Sequence, residues 1–444
     1  NIKNNLKFIL PSLLGIILFM IPIKYNDQIT IPVAIFSNAL VNFLGSSLIY
    51  IITFILVISA VISIITKIFK PKFILQNSFL KTLFNVGPLW LLARVFGAIF
   101  SLLTLFGIGS EFIIGDSTGA FVLNDLLTVL FSIFLFAGLL LPLLLNFGLL
   151  EFFGALLTKV MRPIFKLPGR SSIDCITSWL GDGTLGILLT SKQYEDGFYT
   201  KREAATISTT FSAVSITFSL IVISQVGLSH MFIPFYLTVS FAGIVAAIIV
   251  PRIPPLSRKS DTYYNDNIKE NLEVIPEGYN SFSWGYKNAL EKAVNAYDIK
   301  KFFTEGFKNV LDMWLGVLPV VMCLATLALI IAEYTTIFQV LGTPFIPILK
   351  LLQVPEATAA SQTLIVGFAD MLLPSVLAAN TITNEMTKFI VACVSVTQLV
   401  YMSEVGGLLL GSKIPVNLKD LILIFLERTL VTLPVIVLIA NLLF

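Results

Sequence analysis

The chain has 444 residues, of which 56% are hydrophobic and 12% are charged, about half the charge usual in soluble domains. A net charge of +3 gives no basic footprint for a nucleic acid, and no glycine-rich phosphate loop with a following lysine is present. Several apolar stretches reach the ~20 residues needed to cross a bilayer, so the expectation is an all-α polytopic protein, multi-pass in a bacterial inner or plasma membrane.

In chain order, the run 8–23 follows Lys3 and Lys7, contains Pro11 and lacks a small-residue cleavage site, so it reads as an uncleaved anchor. The apolar segment 29–41 is short enough to be interfacial or to cross half the membrane. Spans follow at 46–66, 82–108 and 122–147. Arg94 lies well inside the third span, where an ion pair with a neighbouring acid is expected. An amphipathic stretch (156–167) then leads into a segment interrupted by polar and helix-breaking residues (169–192), followed by spans 203–227 and 232–250.

The segment 251–309 opens with Pro251, Pro254 and Pro255 and carries mixed charge; it reads as a linker with an amphipathic helix at 286–307, too short and charged for a core of its own. A second series follows: span 310–333, amphipathic stretch 337–352, interrupted segment 356–381, and spans 389–410 and 419–443. Glu427 and Arg428 near the middle of the last span leave open whether 418–427 crosses the membrane or lies along its interface. About nine crossings result, in four parts: N-terminal helices 1–120, a first repeat 121–250, the linker 251–309 and a second repeat 310–444.

Basic residues cluster after the second span (Lys67, Lys70, Lys72, Lys81), after the fourth (Lys159, Arg162, Lys166, Arg170) and in the linker, whereas the loop 111–116 has acids and no bases. The positive-inside rule puts the N-terminus and 251–309 in the cytoplasm. One interrupted segment then enters from each side, and the halves form inverted repeats, each with a broken re-entrant hairpin. A matched pair of this kind is the best sequence-level pointer to a transporter's substrate site.

Ionisable groups inside spans are candidates for function by default. Asp182 and Asp370 each follow a mid-hairpin glycine, Gly181 and Gly367. A carboxylate there can bind a substrate amine or ribose hydroxyl, take a coupling Na⁺ or H⁺, or cap a half-helix N-terminus; these roles are compatible. Asp174 joins them. Ser208, Ser212 and Ser215 share one helical face, as do Thr397, Tyr401 and Glu404 with Gln398 one position round. Such stripes either line a solute path or join helices to one another. Ser171, Ser172, Thr184, Ser361, Gln362 and Ser375 add hydrogen-bonding groups from the hairpins. The single histidine, His230, admits no multi-histidine metal centre or proton relay within one chain. Cys175, Cys323 and Cys393 lack CxxC spacing and read as packing residues. No nucleophile–base–orienter set stands out, so the residues point away from an enzyme and name no cofactor beyond a coupling ion.

Three runs carry a resemblance to a known family: Gly169-Arg170-Ser171-Ser172-Ile173-Asp174 with Trp179-Leu180-Gly181-Asp182-Gly183-Thr184, Tyr199-Thr200-Lys201-Arg202-Glu203, and Thr397-Gln398-Leu399-Val400-Tyr401-Met402-Ser403-Glu404. Together they resemble YjiH-type membrane proteins. That family carries nucleoside recognition (Gate) domains similar to part of the concentrative nucleoside transporters. The resemblance implies a permease-like fold with paired re-entrant hairpins and a solute that is a nucleoside, an amino acid or a small peptide. The expected function is secondary active transport of such a solute, as a Na⁺ or H⁺ symporter. The alternative is a non-transporting sensor or scaffold of the Gate-domain type. A homo-oligomer is left open.

Overall fold

The computed structural model describes residues 2–181, 183–211, 214, 216–266, 273–296 and 298–444. Seven helices in it are long and apolar enough to cross a membrane: Ile2–Met20, Ser47–Phe69, Pro88–Phe106, Glu111–Leu145, Ser229–Arg258, Ile299–Tyr334 and Leu418–Leu443. The protein is an all-α, multi-pass membrane protein. Among the described residues the only strands are a short antiparallel pair, Ile23–Tyr25 with Gln28–Thr30. Asn26 and Asp27 turn it with positive φ, as a two-residue hairpin turn demands.

From residue 127 the elements run in one order twice. The first series is the helix Leu127–Leu145, the amphipathic helix Leu149–Phe165, a helical hairpin with arms Ser171–Ile176 and Gly183–Glu195, a two-piece helix (Lys201–Thr210 and Ile216–Gln225), and the helix Phe232–Ile249. The second is the rod Ile299–Tyr334, the short amphipathic helices Ile337–Gly342 and Ile346–Leu351, a hairpin with arms Ala357–Leu364 and Leu373–Thr381, a two-piece helix (Glu385–Thr397 and Val405–Gly411), and the helix Leu418–Leu443.

Two expectations change here. Neither 203–227 nor 389–410 forms one continuous helix. The first stops at Thr210 and resumes at Ile216; the second stops at Thr397 and resumes at Val405. The Thr397/Tyr401/Glu404 stripe needs an unbroken helix and so does not exist as a helical face; Ser212 and Ser215 of the serine stripe lie outside the described residues. At the second break Leu399 has φ +57°, a conformation that ends a helix of L-residues. The freed backbone is taken up by the neighbouring hairpin: Met402 N–H donates to the Phe368 carbonyl at 2.7 Å and Ser403 N–H to the Ala369 carbonyl at 2.9 Å.

The linker also differs from expectation. Residues 259–263 are tied to the start of the Lys201–Thr210 helix: Lys201 N–H donates to Thr262 O at 2.9 Å and Arg202 N–H to Ser260 O at 3.2 Å. Lys259 reaches Asp420 at 2.5 Å. The amphipathic run 286–307 is two elements. Ser281–Asn295 begins at a capping box made by Asn280 and Ser283, and Ile299 onward belongs to the rod. The rod has 36 residues and is therefore ~54 Å long at 1.5 Å per residue, more than the ~30 Å hydrocarbon thickness. The residues 418–427 are the first turns of one unbroken 26-residue helix, not a separate interfacial piece.

Arg94 is buried but makes no ion pair within 4.0 Å among the described residues. Its Nη1 donates to Ser63 Oγ at 2.8 Å and to the Leu83 carbonyl at 2.7 Å, so it joins two helices to the end of a third. Asp312, the acid on that side, pairs with Lys192 instead, at 3.0 Å. The Pro88–Phe106 helix meets the rod at Gly97, where any Cβ would collide with the Pro319 carbonyl oxygen. Small residues permit this close backbone approach in membranes. Gly97→Leu is expected to push the two helices apart and destabilise the protein by about 1–3 kcal/mol. A thermal unfolding scan in detergent checks this; an unchanged midpoint would contradict the packing.

Candidate solute site between the hairpins and the broken helices

The first hairpin is fastened near its base. Asp174, 1% exposed, accepts from Thr190 Oγ1 at 2.7 Å, Gln193 Nε2 at 2.6 Å and Tyr199 OH at 3.1 Å. Gln193 Oε1 in turn accepts from Arg170 Nε at 2.7 Å, and the Arg170 guanidinium lies 3.6 Å from the centre of the Phe198 ring. Asp174 therefore spends its acceptors holding the two arms together. Ser171 donates to the Pro168 carbonyl at 2.7 Å, a cap on its own arm, and the buried Ser172 hydroxyl has no partner among the described residues. A π-type turn, Thr177–Gly181, ends the first arm. Asp182 lies outside the described residues, as do Ser212 and Ser215.

The second hairpin is closed at its base by Glu356, which accepts from Thr383 N–H at 3.0 Å and from its hydroxyl at 2.5 Å. Its tip is a single turn, Val366–Phe368, followed by Asp370. Asp370 accepts from Ser403 Oγ at 2.8 Å. Ser361 donates to Thr358 O at 2.7 Å, Gln362 is exposed, and Ser375 is fully buried with its hydroxyl unpartnered among the described residues. Gln398 is buried against this hairpin, donating to the Leu364 carbonyl at 2.8 Å and to Thr429 at 3.0 Å. Its Oε1 has no partner among the described residues and sits against Gly367, where a Cβ would strike it. The tip glycine is required by that close approach.

The two halves meet at Glu404, the residue before the Val405–Gly411 helix. Its Oε1 accepts from Thr184 Oγ1, on the first hairpin, at 2.7 Å, and its Oε2 from Tyr401 OH at 3.4 Å. A hydrogen bond to a charged acceptor contributes about 1.5–3 kcal/mol. Thr184 and Tyr401 thus gather on Glu404, and Ser403, its neighbour in the chain, holds Asp370. Both hairpins and the second break contribute to these two sets. Of the residues expected from sequence, Thr184, Tyr401 and Glu404 come together in one, and Asp370 stands in the other. Gln398 braces the second hairpin, and Asp174, Ser171 and Ser361 are engaged within the hairpins themselves. The sequence reading passed over Ser403, Thr190, Gln193 and Tyr199. Ser403 and Tyr199 carried a signal, each standing in a run that bears the family resemblance, Ser403 directly beside Glu404.

A family model described as Gate, nucleoside recognition, matches residues 127–229. An uncharacterized protein of Alkalihalophilus pseudofirmus is 53% identical over 441 residues, covering 99% of this chain and 95% of its own length. The chain belongs to the YjiH-type family of Gate-domain membrane proteins. The matched Gate residues take in the helix Leu127–Leu145, the amphipathic helix, the first hairpin and the first broken helix. Gate domains occur in nucleoside-transporter-like membrane proteins, which makes this a membrane protein of the transporter type.

The Gate hairpin depends on Gln193, because that side chain links Arg170 to Asp174. Gln193→Leu leaves a buried guanidinium N–H and a carboxylate oxygen unpartnered, and is expected to cost about 1–3 kcal/mol per orphaned group. Thermal unfolding measures it, with Gln193→Glu as a comparison that keeps the acceptor for Arg170 but sets two acids against each other.

Proposed function

We propose that the protein is a secondary active transporter of a small polar organic solute, of the size and polarity of a nucleoside, an amino acid or a small peptide, coupled to Na⁺ or H⁺. One observation carries the reading. The interrupted segments bring carboxylates to two successive residues of the second break: Ser403 donates to Asp370, and Glu404 accepts from Thr184 of the first hairpin. Irregular backbone is tolerated at membrane depth only where protein buries it or a cavity needs it. Discontinuous helices meeting at a polar centre are the common construction of secondary transporters. On this reading Asp370 and Glu404 hold the solute or the coupling ion, with Asp182 as the third acid from the first hairpin tip. Tyr401, Ser403 and Thr184 supply hydrogen bonds. The repeated order of elements supports two inverted repeats whose hairpins enter the membrane from opposite sides.

Uptake into proteoliposomes tests the site. Vesicles carrying an inward Na⁺ or H⁺ gradient are offered labelled uridine, leucine or dialanine. Asp370→Asn and Glu404→Gln are each expected to lower gradient-driven uptake at least tenfold, a loss of about 1.4 kcal/mol or more in the rate-limiting step. Wild-type rates in both variants would sink the assignment.

Accessibility tests the inverted arrangement. Asp196, just beyond the end of the first hairpin, and Asn380, in the last turn of the second, are both exposed. Cysteines placed there in a background lacking the three native ones are expected to react with a membrane-impermeant maleimide from opposite sides. Labelling of both from one side would remove the inversion.

A further inference from the structure

Among the described residues Arg428 is the largest fully buried side chain, 0% exposed. It lies near the middle of the Leu418–Leu443 helix. An arginine presents five N–H donors. Only Nε is engaged, donating to the Thr397 carbonyl at 2.8 Å. Both terminal nitrogens, Nη1 and Nη2, are buried without a partner among the described residues. An isolated buried cation is far costlier than a paired one, so four unused donors on one guanidinium ask for an acceptor.

The side chain stands in the wall of a cavity. Arg428 helps to line a space of about 40 Å³ together with Trp179 of the first hairpin, Thr210 at the first break, Tyr236 and Ser240 of the Phe232–Ile249 helix, and Leu399 at the second break. One water needs roughly 10–15 Å³, so the space takes a chloride-sized ion or a carboxylate group. Among the described residues Arg428 is the only charged one in its lining. The neighbouring Glu427 is not among the lining residues. The surrounding walls are mostly apolar, so an anion entering would meet a cation that little water screens.

We propose that this cavity is a small-anion site, with the Arg428 fork as its anchor and a monovalent ligand of chloride or carboxylate type. Its walls come from both breaks, from the first hairpin and from two spans, so occupancy would bear on how these elements pack. The inference does not rest on the transport reading, because its test reads binding and not uptake.

Trp179 supplies the readout. Iodide quenches indole emission on contact, and the chain has four tryptophans. Purified protein in a chloride-free buffer is titrated with sodium iodide at constant ionic strength. The wild type is expected to show a saturable quenching component, absent from Trp179→Phe and weakened at least tenfold in Arg428→Met. Sodium chloride and sodium acetate are then added as competitors. Competition by chloride alone identifies a free-ion site. Competition by acetate alone identifies a carboxylate subsite, and competition by both a general anion site. Each supports the proposal. Quenching that is linear throughout, or a saturable component that persists in Trp179→Phe or at full affinity in Arg428→Met, overturns it. Should Arg428→Met fail to fold, the comparison of wild type with Trp179→Phe decides alone.

Discussion

Backbone hydrogen bonding in hydrocarbon governs this architecture. A helix satisfies its own N–H and C=O groups, and a break in one exposes several, each costing a few kcal/mol if left bare in lipid. The second broken helix meets this constraint with two rungs to the second hairpin, from Met402 and Ser403 to Phe368 and Ala369. Neither element is complete alone. The hairpin tip supplies carbonyls that the break needs, and Gln398 at the edge of the break caps the Leu364 carbonyl of the hairpin. The polar centre is a by-product of that mutual completion. Once backbone must be satisfied at this depth, side chains such as Asp370 and Ser403 can sit beside it with partners at hand.

The acids divide by the work they do. Asp174 receives three donors from its own hairpin and neighbouring turn, and it fixes a shape. Glu404 receives hydroxyls from two different halves. A bond between separate units lasts only while those units stay in register, whereas a bond within one unit survives their relative motion. Buried acids of the same charge therefore differ in whether a rearrangement would disturb them. That distinction, more than burial, sets Asp174 apart from Glu404.

The sequence made the coarse architecture legible because apolar length is a local property. Seven continuous helices and two hairpins announce themselves through composition, and the glycines and serines at 169–184 and 358–375 mark the turns. The breaks after Thr210 and Thr397 were hidden because Phe211 and Leu399 are apolar, and the partner backbone that permits the second break lies some 30 residues away, at Phe368 and Ala369. Arg94 was misjudged for a related reason. Its expected partner was a carboxylate, but the carbonyl of Leu83 at a helix end serves it, and backbone carbonyls leave no trace in a residue string. Asp370, Tyr401 and Glu404 could be named from chemistry alone. That Thr184 would reach Glu404 across 220 positions could not.

The interrupted helices also have a bearing on how the protein is made. Lys201–Thr210 has 10 residues and Glu385–Thr397 has 13, so each covers only ~15–20 Å at 1.5 Å per residue. Neither piece can settle across a bilayer unaided, because its loose end would face lipid with bare amides. The long continuous helices can be released singly into the membrane as they leave the ribosome. The hairpins and half-helices must stay sheltered, beside the insertion machinery or one another, until the partner that completes their backbone has been synthesised. For the second break and its hairpin the two emerge in close succession, which keeps that waiting time short.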